Sequence, residues 1–141
     1  MRHLTIVLFT CLSIGFATTQ KANAQTNSLN GTWIPVKQEM GGTSLPEAAF
    51  VKQKLVMLDS NYTFTAESVD KGIATYSNGK MDIYSKEGVN AGRHFPTIYK
   101  LENSQLFICY NLSGNGYPET FDTKGKPMYF LCVYKKELWI N

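Results

Sequence analysis

The chain has 141 residues, of which 43% are hydrophobic, 18% charged and 13% aromatic, with a formal charge of +3. These values suit one globular domain and exclude collagen-like, coiled-coil and strongly disordered chains. The basic excess is uneven: residues 1–24 hold Arg2 and Lys21 and no acid, which leaves 12 basic against 11 acidic side chains in the other 117 residues, a net +1. Scattered lysines at that balance form no basic stripe, which argues against nucleic-acid binding.

In chain order, Met1-Arg2-His3 is a short basic start. Leu4 to Phe16 follows without a charge and includes Ile6-Val7-Leu8-Phe9, and Ala22-Asn23-Ala24 is a small-x-small pattern. This layout predicts a secretory signal peptide over residues 1–24, cut before Gln25, and one domain over residues 25–141. The apolar run is short and broken by Thr10, Ser13 and Gly15, so it does not suit a membrane anchor. No span is expected in the mature chain, which is expected to be secreted or periplasmic.

The body reads as short strands. Runs rich in Tyr, Phe, Val, Ile and Thr alternate with turn residues. Strands are predicted near Gly31–Met40, Lys54–Asp59, Tyr62–Glu67, Gly72–Ser77, Lys80–Lys86, His94–Leu101, Gln105–Leu112 and Pro127–Lys136. One short helical turn is predicted over Leu45–Lys52, with Pro46 suited to its first turn. Asn78-Gly79 is a type I′ hairpin signal, because both central residues of that turn need positive φ. Asp59-Ser60-Asn61 and Glu102-Asn103-Ser104 are tight polar turns. Ser113 to Lys126 is the longest irregular stretch.

Alternation assigns faces. Tyr62, Phe64 and Ala66 oppose Thr63, Thr65 and Glu67, and Met81 and Ile83 oppose Asp82 and Tyr84. Thr97, Tyr99 and Leu101 oppose Ile98 and Lys100, and Leu106, Ile108 and Tyr110 share a face. Such a pattern means antiparallel pairing with one buried face. The eight strands suit an all-β, up-and-down barrel, which removes exposed edges. A two-sheet sandwich is the alternative that periodicity leaves open.

Leu29-Asn30-Gly31-Thr32-Trp33 opens the first strand, and Gly31-x-Trp33 resembles the lipocalin signature. Gly41-Gly42-Thr43-Ser44-Leu45-Pro46, Lys54-Leu55-Val56-Met57 and Tyr62-Thr63-Phe64-Thr65 follow. Met81-Asp82-Ile83-Tyr84, Glu87-Gly88, Gly92-Arg93, Ile98 to Asn103, Leu106 to Tyr110 and Pro118 to Phe121 continue the order. This series, from about Leu29 to Lys136, resembles a lipocalin-like domain of uncharacterised exported bacterial proteins, best known from planctomycetes. The resemblance implies a barrel with the Trp closing one end, and it implies no established activity. The chain departs from the family at Tyr117-Pro118, where Arg-Pro is usual, so no role of that arginine transfers.

Three functions are open. The first is binding of a small hydrophobic or amphipathic ligand inside the barrel. Its lining would come from Trp33, Leu55, Met57, Phe64, Met81 and Ile83, with Tyr99, Leu101, Leu106, Ile108 and Tyr110 from the later strands. Arg93 and His94, at a loop end entering a strand, would form a polar rim able to meet an anionic group. The same inward set can instead simply fill the interior. The second is a cell-envelope interaction module, using Val56, Leu58, Tyr84, Phe107, Tyr129 and Leu131 on the outward face to meet a protein partner. The third, an enzyme, is not expected: there is no Gly-x-Ser-x-Gly elbow, His-Glu-x-x-His or phosphate loop. Cys109 and Cys132 form either one disulfide or two separate buried thiols. No cofactor or metal is implied, since the mature chain has no CxxC and only one histidine. Glu67 and Asp70 read as solvated acids near a turn.

Overall fold

The computed structural model describes residues 29–139. The predicted signal peptide, residues 1–24, lies outside the described residues. The elements are β1 (Gly31–Met40), β2 (Thr43–Ser44), a 3-10 turn (Glu47–Ala49), β3 (Lys54–Leu58), β4 (Asn61–Thr65) and β5 (Val69–Ser77). They continue as β6 (Lys80–Glu87), β7 (His94–Glu102), β8 (Gln105–Asn111) and β9 (Tyr129–Lys136). From β3 onward each strand pairs antiparallel with the next, β1 pairs with β3, and β1 also pairs with β9. The result is a closed eight-stranded antiparallel barrel, with β2 as one strand outside it. The sandwich alternative is thereby excluded.

The predicted strands recur with small shifts at their ends. The expected helical turn tightens to the three residues Glu47–Ala49, preceded by Pro46 and followed by buried Phe50. The hairpin at Asn78-Gly79 has positive φ at both residues, 51° and 78°, as a type I′ turn requires. β2 was not visible in the pattern, being only two residues long. It occupies the side of β1 that β3 leaves free, because β1 and β3 pair only over Gly31–Trp33. A bulge between Pro35 and Lys37 bends β1 where it runs along β9, and it lets Pro35 sit in the strand without a donor.

The interior is finished at one end by Trp33, which is 2% exposed. Its indole N–H donates to the Leu29 carbonyl at 2.8 Å, so the lead-in to β1 folds under the barrel. Asn30 fixes that lead-in to the β3–β4 turn by accepting the Asp59 backbone N–H at 2.8 Å. Leu106 and Tyr99 complete the packing, with the Tyr99 ring edge-on to Tyr76 at 5.6 Å.

A second core lies on the outside of the wall. Cys109, Leu131 and Val133 are buried there, with Phe107, Phe121 and Tyr129 against them. Their cover includes Phe121, in the long connection between β8 and β9. Its ring meets Phe107 edge-on at 6.5 Å, and the Lys100 ammonium lies 4.8 and 4.9 Å from the two ring centres. Thr123 latches the connection to the end of β1. Its hydroxyl accepts the Gly42 N–H at 2.8 Å and donates to the Glu39 carboxylate.

This cover corrects the predicted outward patch. Leu131 is buried, Phe107 and Tyr129 pack against the second core, and Tyr84 stacks on His94. Leu58 and Tyr84 remain exposed and Val56 is half-buried. The disulfide alternative is corrected too. Ile108 pairs with Cys132 and Cys109 with Leu131, so the two cysteines point to opposite faces of the wall. Both are free and buried.

Candidate functional site

The barrel interior beyond Trp33 encloses a cavity of about 160 Å³, which reaches down to Leu55, the strand partner of Trp33. It opens towards the connections at 88–93 and 112–128, whose Asn90 and Leu112 stand in its wall. Of the predicted lining, Leu55, Met57, Phe64, Met81, Ile83, Ile108 and Tyr110 face it. Trp33, Tyr99 and Leu106 are buried in the same core but lie in the closed end rather than around the cavity. Leu101 is a miss: it is 45% exposed. Its face assignment follows the alternation, but β6 stops pairing with β7 at Lys80–Ile98, so Leu101 extends past the wall with no strand on that side.

The polar centre of the cavity was not anticipated. Asp70, at the start of β5, faces inward and is only 8% exposed. Its Oδ2 accepts the Tyr62 hydroxyl at 2.8 Å and its Oδ1 accepts the Ser85 hydroxyl at 2.6 Å. Two features of the chain place it there. β5 begins at Val69, three residues before the predicted start, so Asp70 joins Ala74 on the inward face. Gly72 then lets β5 and β6 approach closely: a Cβ there would stand 2.0 Å from the Tyr84 carbonyl oxygen. The alternation Asp70-x-Gly72-x-Ala74-x-Tyr76 carries the signal, but an acid beside a turn and a side-chain-free glycine mask it.

A second polar series crosses the interior beside the cavity. The Gln38 amide donates to Gln53 Oε1 at 2.6 Å and to Cys132 Sγ at 3.4 Å. The Cys132 thiol in turn interacts with the Tyr134 hydroxyl, and Tyr134 with Tyr110. Gln53 thus reaches in from the segment that bridges the short β1–β3 seam. Burial pushes the Cys132 thiol up to about 11. Burial also raises Tyr62, Tyr110 and Tyr134 above the usual tyrosine range. For Tyr62 the bond donated to Asp70 adds to the rise, because losing that proton would leave two facing negative groups. The Tyr99 hydroxyl is buried without a well-formed hydrogen bond. Burial raises its pKa, and the backbone of Gly79 partly offsets the rise.

The predicted rim pair separates. Arg93 stays near the mouth, donating to the Leu112 carbonyl at 3.2 Å and lying over the Phe95 ring at 4.6 Å. His94 turns to the outer wall instead, since successive strand residues point to opposite faces. Its Nε2 lies 2.7 Å from Asp82 Oδ1, and its ring stacks on Tyr84 at 4.5 Å. Asp82 also accepts the Tyr117 hydroxyl at 2.6 Å, so Tyr117 ties the long connection to the wall.

Among the described residues, no group of three His, Cys, Asp or Glu side chains is placed to hold a metal ion. No helix of the described residues is long and apolar enough to cross a membrane. Comparison with protein-family models, with curated proteins and with solved structures gave no match.

Proposed function

We propose that the protein binds one small, largely apolar molecule inside the barrel. The carrying observation is the cavity of about 160 Å³, walled mainly by apolar and aromatic side chains and open towards one end. An apolar cavity of about 150 Å³ holds a benzene-sized molecule. Drug-sized ligands occupy roughly 300–1,000 Å³. The ligand is therefore compact, of ring or short-chain size. The resemblance to lipocalin-like domains, with Gly31-x-Trp33 at the closed end, supports the same reading. So does the signal-like N-terminus, which makes this a binding domain that works after export. Cys109 is buried under the long connection with its thiol pushed up to about 11, which disfavours it as a nucleophile and fits a binding role.

Titration of the purified protein with toluene, followed by methyl and aromatic NMR shifts, tests the reading. Shifts should concentrate at Met57, Met81, Ile83 and Ile108. Ala74→Leu, which narrows the cavity from its wall, should weaken toluene binding by about tenfold or more. Unchanged affinity in that variant, or shifts confined to the outer wall, would overturn interior binding.

A further inference from the structure

We infer that the ligand is a small primary amine, its ammonium held by Asp70 and its compact apolar body filling the cavity. The inference rests on the interior-binding reading above and adds the chemical class of the ligand.

Asp70 is the starting point. Both of its oxygens accept hydroxyl protons, from Tyr62 and from Ser85, which is the pattern of an ionised carboxylate. Among the described residues no lysine, arginine or histidine forms an ion pair with it. A buried carboxylate without a cation is costly in apolar surroundings. Two hydroxyl donors offset part of that cost and leave further acceptor positions on the same oxygens. Asp70 also stands in the cavity wall rather than behind it. A cation entering the cavity can therefore reach it directly.

The rest of the wall suits the same ligand. Tyr62, Phe64, Phe95, Tyr110 and Phe130 surround the space. Aromatic faces attract an ammonium and pack against an apolar body. An ammonium brings three donors, which can meet Asp70 and a neighbouring phenol oxygen together. Arg93, a cation near the mouth, is already held by the Leu112 carbonyl, Asn90 and the Phe95 ring. An anionic ligand would have to pull it from these partners and then approach Asp70. The cavity volume limits the body to one ring or a short branched chain, so arylalkylamines and small alkylamines are the class that fits.

The experiment compares benzylamine, toluene and benzoate by NMR titration at neutral pH, in the wild type and in Asp70→Asn. Benzylamine should bind the wild type about tenfold or more tightly than toluene, the range of a charge-assisted hydrogen bond. In Asp70→Asn that advantage should vanish while toluene binding persists, which also shows that the variant is folded. If that variant does not fold, the wild-type ranking alone decides. Toluene binding as well as or better than benzylamine would overturn the amine and leave the interior-binding reading standing. Benzoate binding most tightly would overturn it in favour of Arg93. Absence of binding by all three probes would overturn both readings.

Discussion

The two ends of the barrel are built from the same strands and finished in different ways. At the Trp33 end the strands are joined by two-residue turns, residues 59–60, 78–79 and 103–104. Such turns bring few side chains, so the end is sealed from within, by Trp33, Leu29 and Leu106, all at most 2% exposed. At the opposite end the connections run over residues 41–53, 66–68, 88–93 and 112–128, apart from the two residues of β2. There the barrel is left hollow, and Asp70, Asn90 and the Tyr110 and Tyr134 rings share the wall with apolar side chains. A packed half gives up binding space for stability. A hollow half keeps buried polar groups that a filled interior would not tolerate. The barrel separates these demands along its axis.

The contrast is broken most directly at Trp33. Trp33→Ala removes the largest side chain of the closed end together with the indole bond to Leu29. It should cost about 3–5 kcal/mol of stability, read as a fall in the urea midpoint. Because Trp33 does not stand in the cavity wall, the folded fraction should bind toluene with unchanged affinity. A loss of affinity at full folding would show that the two halves are coupled.

Alkaline pH sharpens the comparison from the other side. Cys132, Tyr62, Tyr110 and Tyr134 lie in or beside the hollow half, and the folded protein raises all four above their ordinary values. A raised pKa means that the folded state holds its proton where the unfolded chain has lost it. The stability involved is fully present below the unfolded values, near 9.0 for the thiol and 10.0 for tyrosine, and is lost as pH rises past them. Urea midpoints should therefore begin to drop above about pH 9 and fall faster beyond about pH 10. Tyr62→Phe should flatten the drop. An unchanged profile in that variant would mean that Tyr62 does not carry its share.

The sequence disclosed these regions unequally, and the reason is physical. Strand alternation and the Asn78-Gly79 turn are local patterns, and they led to the barrel and seven of the cavity residues. What stayed hidden depends on where strands stop. Leu101 has the right parity but outruns its neighbour, and Asp70 has the right parity but sits beside a turn. The fate of the outer face also lay beyond alternation. Phe107 and Leu131 look solvent-facing until a segment with no periodicity of its own is laid across them. Cys109 and Cys132 were readable only once the β8–β9 register was known, because a shift of one residue changes which faces they share.

That covering segment offers the smallest of the expected effects. Thr123 is fully buried, and its hydroxyl joins the Gly42 N–H to the Glu39 carboxylate. Thr123→Val keeps the shape of the side chain, leaves the Gly42 N–H without its acceptor and leaves Glu39 only its ion pair with Lys37, which should cost about 1–3 kcal/mol. The loss should be local. Amide exchange should quicken in residues 113–127 and at Gly42, while the amides of β3 to β6 keep their protection. Toluene binding should not change, since Thr123 lies on the outside of the wall. If exchange instead rises evenly around the barrel, the long connection is part of one cooperative unit with the strands, and the outer core beneath it contributes to holding the barrel closed.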